Sequence, residues 1–540
     1  MPRHARSTAA VALVVAAGFG LAACAAPSGD DADGGTVTFA IEGGNIANGH
    51  MNPHRTQLDS SAMVLRNVFD SLVAQNQDGS FSPWLAESYE VADDGLSYTF
   101  TLRDDVTFSD GEALDAEVVK ANFDHVIDPE TTSFRAAALI GYNTEQPEDS
   151  AYREAVVVDD RTVRFEFDRP FAPFLSGVAT PFLGLYSPAS LELDQADLAA
   201  GSPEATVGSG PFVLTEYVPD QELVLERNDD YAWAPEGAEI GTAQTLDIRI
   251  LPEASVRNGA LTSGEAQVIA DVLPTDVDQL GDAETEVWEL PGVPYSLYLN
   301  VNRGALQDVR VREAIARGID VEADVESVYG EGYPRAWSAL TSTTPGYDAA
   351  LEGSWDVDAA AAEALLDEAG WTGTDAEGFR TKDGERLSVE WVAWTPQPDD
   401  AAALADLIQQ DLAGIGVELV RSVVEPAEYN ARYGPKEIDI TDWSFAGTGG
   451  EVLANHLRTG GFQNASAVSD PSLDAILDEA AASTDPAEQA ALYEQVQQWN
   501  AEQWAIVPLY SPARITASSS DVEGLSYDIY GRPLFLGVSV

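Results

Sequence analysis

The sequence holds one cysteine, three lysines and five histidines, and its 28 basic residues face 91 acidic ones, a net charge of −63. Each scarcity removes a class of function. A lone cysteine cannot close an intrachain disulfide. Lys120, Lys382 and Lys436 are the only lysines and none follows a glycine, so no Gly-Lys-Ser/Thr loop can cradle phosphate. Without a basic face to meet a phosphate backbone, nucleic acid is excluded as a partner. Gly208-Ser209-Gly210 lacks the first glycine of a nucleophile elbow. His50 and His54 stand four apart, as zinc ligands do on a helix, but no glutamate accompanies them and Pro53 breaks that helix. No motif calls for a cofactor or a metal. Acid–base catalysis would have to rest on carboxylates, and these are scattered through every segment with no pair singled out. The spread reads as a solvated acidic surface suited to salty surroundings. A secreted hydrolase is therefore the least supported class.

What is present begins at the amino terminus. Arg3, His4 and Arg6 precede TAAVALVVAAGFGLAA at residues 8–23, a charged region and an apolar core too short to span a bilayer stably. Residues 1–23 read as a signal peptide ending in Leu21-Ala22-Ala23-Cys24. A single cysteine behind a small-residue cleavage site resembles the bacterial lipobox, so lipidation is expected at Cys24, with several acyl chains giving stable anchoring. Residues 24–35, acidic and without apolar period, form a flexible tether. The expected location is extracytoplasmic, on the outer face of the cytoplasmic membrane, with the lipid anchor as the only membrane contact. The remainder is too long for one core and predicts two or three domains.

Along that remainder the hydrophobic period switches repeatedly between two and 3.6, without internal repeats. Alternation predicts strands at Thr36–Glu42 and Tyr98–Leu102. Hairpins are predicted over Val156–Phe167 and over Phe212–Tyr217 with Glu222–Arg227, turning at Asp159-Asp160 and Pro219-Asp220. Helical spacing covers Ser60–Ala74 and Asp115–Ile127. Further strands near 246–251, 285–290, 295–302, 387–393, 416–423 and 438–443 are separated by helices near 308–318, 357–369 and 399–413. Two helices, 470–482 and 485–504, precede the last strands. The fold class is α/β, with sheets covered by helices.

Asn67-Val68-Phe69-Asp70-Ser71-Leu72, following Asn52-Pro53, resembles the opening of the family 5 extracellular solute-binding proteins, which bind oligopeptides, dipeptides or nickel. Pro83 to Arg103 (PWLAESYEVADDGLSYTFTLR) and Val106-Thr107-Phe108-Ser109-Asp110-Gly111 continue the match. Gly208-Ser209-Gly210-Pro211-Phe212, Val309 to Asp320, and Leu365 to Trp371 follow in the same order. Most of these motifs identify a scaffold, since Asp110-Gly111 is a turn and Gly208 and Gly210 give a bend. The resemblance implies a periplasmic-binding-protein-like two-lobe fold with a hinge and an extra domain, three domains in all. Residues 36–56, 168–290 and 505–540 would form lobe one, residues 57–167 the extra domain, and residues 291–504 lobe two. The hinge would lie near Pro291–Tyr298 and Val507–Tyr510. The function implied is that of a monomeric, non-enzymatic substrate-binding protein. It would capture a small solute, in the first instance a peptide, by closing two lobes. It would then deliver the solute to the permease and ATPase subunits of an ABC importer. A metal chelate, an opine, a sugar or another organic solute is the alternative cargo on the same fold.

In peptide-binding relatives a lobe-two segment carries an aromatic residue and an aspartate that pairs with the peptide ammonium. Here Phe445 stands at the aromatic position and Thr448 at the aspartate position, so the usual anchor is missing unless Glu451 or Asp442 replaces it. Trp443 and Phe445 either offer stacking surface in the cleft or pack the end of a strand. Alternation puts Trp394 on the opposite face from Trp391 and points to Trp394 for the cleft. His456 and Arg458 are the nearest basic side chains, able to meet a carboxylate or a metal chelate or to sit at the surface. On the other lobe, Asn45 follows the first strand and is expected to face the ligand.

Overall fold

The computed structural model describes residues 35–44, 46–395, 399–447, 449–483 and 485–540. Cys24, Asn45 and Thr448 lie outside these residues. Three sheets carry the fold. The largest has seven strands in the spatial order 284–289, 513–518, 268–269, 36–41, 245–250, 222–227 and 212–218. Thr36–Ile41 (TVTFAI) alternates polar and apolar, and pairs in parallel with Thr245–Ile250 on one side and Val268–Ile269 on the other. Its Phe39 packs on Phe535, ring centroids 4.8 Å apart. This strand therefore sits near the middle of the sheet, among segments that reach it from the middle and the end of the chain.

A four-stranded antiparallel sheet, in the order 86–91, 97–102, 162–167, 152–159, packs beneath helix Ala116–Ile127. Asp115 caps that helix, accepting a hydrogen bond from the Val118 amide at 2.9 Å. Phe100, Phe123, Phe165 and Phe174 interlock in its core. A five-stranded sheet, in the order 418–424, 388–394, 440–446, 292–299, 506–510, forms the centre of a second lobe. Its strands alternate between two apolar clusters. Leu297, Leu299 and Trp391 meet helices such as Val309–Gly318 and Asp399–Gly414, while Val293 and Tyr298 meet helices Val452–Leu457, Pro471–Ala482 and Pro486–Gln503.

The structure departs from the sequence reading in three places. The helix expected over Ser60–Ala74 is only Asp59–Leu65. Asn67 donates its side-chain amide to the Met63 carbonyl at 2.8 Å, and the chain turns away. The carbonyls of Asn67 and Val68 then accept from the amides of Phe212 and Gly210. Helical spacing thus marked burial correctly and conformation only in part. Gly208 and Gly210 flank the expected bend before strand Phe212–Val218 and also meet a packing demand, since a Cβ would stand 2.2 Å from the Val68 carbonyl oxygen at Gly208 and 2.5 Å from the Val68 carbonyl carbon at Gly210. The boundary placed at 505 falls early, because the buried run Ile506–Tyr510 pairs antiparallel with Gly292–Leu299 in the second lobe. The boundaries at 57 and 167 divide cores that are shared: Met63, Val64 and Phe69 pack with the seven-stranded sheet, and Phe174 and Val178 pack with the four-stranded one. The two crossings between the seven- and five-stranded sheets therefore lie at Leu290–Pro291 and Ser511–Pro512. They touch each other, the Leu290 amide donating to the Pro512 carbonyl at 2.8 Å.

Candidate functional site between the lobes

The crossing edge is where the second lobe collects its aromatic side chains. Gly292 is in register with Ala446, and the Gly447 amide donates to the Pro291 carbonyl at 3.0 Å, so residues 443–447 stand beside the crossing. Trp394, the last residue of its strand, and Phe445 remain 41% and 38% exposed, although both are large and apolar. Trp443 lies deeper, against Tyr298 at 5.1 Å and Tyr433 at 5.4 Å, with Trp394 at 6.3 Å. The sequence alternatives thus divide: Trp443 packs, while Trp394 and Phe445 present their faces.

The three polar candidates behave differently. Asp442 points to the other face of the sheet, where it accepts from the Trp391 indole nitrogen at 2.6 Å and from the Tyr295 hydroxyl. Both its oxygens are engaged, and burial pushes its carboxyl above the usual range. Arg458 forms an ion pair with Asp478 on helix Pro471–Ala482, which commits its guanidinium. His456 is fully buried, with Nδ1 at 2.8 Å from the Tyr298 hydroxyl, and burial lowers its pKa to about 3, so it is neutral. Phe445 meets it edge-on at 5.7 Å.

Glu451 is the exception. It precedes helix Val452–Leu457 and lines a cavity of about 540 Å³ that also meets Gly79, Phe81, Pro173, Pro345 and Tyr493. One wall is thus the extra domain and the other the second lobe. Burial raises the Glu451 carboxyl above its ordinary value, and among the described residues no cation forms an ion pair with it. The lining contains no lysine, arginine or histidine, and its other acid is Asp78. Nothing in the sequence singles out Gly79, Phe81 or Tyr493 for this cavity, because it is made by segments more than 300 residues apart. Among the described residues no group of three or more His, Cys, Asp or Glu side chains is placed to hold a metal ion.

Two α/β lobes joined by paired crossings, with exposed aromatics at the joined edge and a cavity between the walls, define a solute-binding protein. Residues 80–462 match the bacterial extracellular solute-binding proteins, family 5 Middle, and the chain belongs to that family. It is 32% identical to di/tripeptide-binding protein 4 of Pseudomonas aeruginosa over 472 residues, 82% of this chain and 83% of the relative. It is 28% identical to heme-binding protein A of Haemophilus influenzae over 494 residues, 88% and 87% of the two chains. The crystal structure of NikA from Brucella suis in complex with Fe(III)-EDTA superposes with a TM-score of 0.76 at 26% identity, covering 92% of this chain and 98% of that one. The fold is the α/β periplasmic-binding-protein fold in the three-domain architecture of the family. The protein is accordingly an extracytoplasmic solute-binding component of an ABC importer, and not an enzyme.

Proposed function

We propose that the solute is a short peptide with a free amino terminus, that Glu451 holds its ammonium, and that Trp394 and Phe445 contact its side chains. The observation that carries this reading is Glu451 itself, a half-buried carboxyl held above its ordinary range by burial, with no cation paired to it among the described residues, in a cavity whose lining has no base. A buried charge without a partner is costly, and a ligand ammonium would remove that cost. The cavity volume of about 540 Å³ falls within the range of small-molecule sites. Asn45 and Thr448 complete the proposed contacts, with Thr448 offering a neutral hydroxyl where relatives carry an acid. Arg458, held by Asp478, takes a supporting place at the rim. Lipidation at Cys24 would hold the monomer at the membrane, beside its permease and ATPase.

The exposed Trp394 and Phe445 also favour a second reading, a planar non-peptide solute such as a metal chelate. Calorimetry with matched free and N-acetylated tripeptides separates the two. The wild-type protein is expected to prefer the free amine by about 2 kcal/mol, roughly thirtyfold, and Glu451→Gln to abolish that preference. A preference that survives in Glu451→Gln assigns the ammonium elsewhere. Failure of both peptides to bind favours the non-peptide solute.

A further inference from the structure

Arg66 closes the first helix of the body and is 7% exposed. It has no carboxylate within 4.0 Å among the described residues, in a chain whose acids outnumber its bases 91 to 28. Its guanidinium donates to the Ser71 hydroxyl at 2.8 Å and to the Ala179 carbonyl at 2.6 Å, and lies 5.1 Å from the Trp84 ring centre. Two of five N–H groups are thus used. Other buried arginines here are spent more fully. Arg257 donates to the carbonyls of Leu251, Pro252, Ala270 and Asp271. Arg532, 1% exposed, pairs with Asp59 and Asp528. The nearest acid in sequence, Asp70, is turned to Trp233, Ser209 and Tyr231.

Arg66 lines a cavity of about 360 Å³, walled also by Trp84, Pro211, Pro235, Leu525, Leu534 and Phe535. A neighbouring space of about 200 Å³ shares Arg66, Trp84 and Leu534 with it. Among the described residues none of the second lobe lines either space, which sets the cavity apart from the interlobe cleft. Two acids belong to the lining. Asp528 is neutralised by Arg532 at 3.1 Å and by the amides of Tyr530 and Arg532, and Glu239 is exposed at the rim. We propose that this cavity is a second binding site, separate from the interlobe cleft, for a small amphipathic monocarboxylate. The carboxylate would accept from the guanidinium N–H groups left unused, a charge-assisted hydrogen bond, and the apolar body would fill the space over Trp84 and Leu534. Burial lowers the Arg66 pKa to about 10, consistent with a charge held out of water without a full complement of partners.

Calorimetry of the full chain with octanoate, and with 1-octanol as the uncharged comparator, tests the assignment. Octanoate is expected to bind at least tenfold more tightly than 1-octanol, without competing with peptide. Arg66→Met is expected to remove that tenfold advantage, and Ala238→Trp, which fills the lining from an exposed loop position, to weaken both ligands. Peptide affinity should be unchanged in both variants. Equal binding of octanoate and 1-octanol, competition with peptide, or an Arg66→Met protein with undiminished octanoate affinity would each overturn the site. If Arg66→Met does not fold, Ala238→Trp decides the matter: octanoate affinity unchanged in that variant sinks the proposal.

Discussion

At the scale of single residues, exposure separates side chains that the sequence pattern could not. Phe445 and Trp443 alternate on the same face of one strand, two residues apart, and share an aromatic character. Phe445 is 38% exposed and touches His456, whereas Trp443 is wedged among Tyr298, Tyr433 and Trp394. Phe445→Ala should therefore weaken ligand binding by more than tenfold, about 1.4 kcal/mol, with less than about 1 kcal/mol lost from stability. Trp443→Ala should instead cost about 3 kcal/mol or more of stability, as deletion of a packed aromatic does. Thermal unfolding and calorimetry on the two variants check this contrast. A collapse of stability in Phe445→Ala with affinity intact would place Phe445 in the core.

At the scale of elements, a chain of hydrogen bonds ties the loop after the first strand to helix Ala116–Ile127. His54 Nε2 stands 2.9 Å from the Gly184 carbonyl, which can only accept, so His54 Nδ1 is unprotonated and accepts from His125 Nδ1 at 2.8 Å. His125 Nε2 in turn accepts from the Gln195 amide at 2.8 Å. Both rings are neutral in this arrangement, and a further proton on either leaves a donor facing a donor or without an acceptor. Burial, and secondarily His125, lowers the His54 pKa to about 3 from an ordinary value of 6.5. The unfolded chain then binds more protons below pH 6.5, so this contribution is full above pH 6.5 and is lost as pH falls toward 3. Between pH 7 and pH 5 the loss is about 2 kcal/mol. Asp70 acts in the opposite sense. Burial pushes its carboxyl up to about 7, and its contribution is lost as pH rises through that value. Unfolding midpoints in urea at pH 7 and pH 5 should therefore show a smaller loss, or a gain, for His54→Gln relative to wild type. The same pH dependence in both proteins would remove the histidine pair from the account.

At the scale of the whole molecule, the chain passes between the seven- and five-stranded sheets at two adjoining crossings, Leu290–Pro291 and Ser511–Pro512. Beside them Tyr295 and Tyr333 stack on either side of Tyr510, at 4.8 and 5.2 Å. A ligand that touches both walls binds the closed state better and shifts the population toward it. Small-angle scattering should show a smaller radius of gyration on adding ligand, with a change in tryptophan emission from Trp394. An unchanged radius at saturation would exclude closure. The proposed lipidation at Cys24 is tested independently of binding. Cys24→Ser should release the protein from washed membranes without altering its unfolding midpoint, since no disulfide is lost, and retention of the variant on the membrane would refute the lipobox.

How much could be read in advance depends on the range of the interactions involved. Strand Thr36–Ile41, the hairpins at 152–167 and 212–227, and helices such as Ala116–Ile127 and Val309–Gly318 follow from local periodicity and capping, with Asp115 and Asp308 accepting from nearby amides. The solute-binding class was also legible, through collinear motifs that mostly serve packing. Gly208 and Gly210 clear space for Val68, and Asp70 is clasped by Trp233, Ser209 and Tyr231. The sequence by itself thus determined the elements, the acidic surface, the absence of disulfides and the class. Tertiary structure alone decided the end of the helix at Leu65, the transfer of Ile506–Tyr510 to the second lobe, and the different fates of Asp442, Glu451 and Arg458. Each of these depends on which distant group arrives to pair or fails to arrive. Local spacing sets the direction of a side chain within its own element, whereas burial and partnership are set by segments hundreds of residues away.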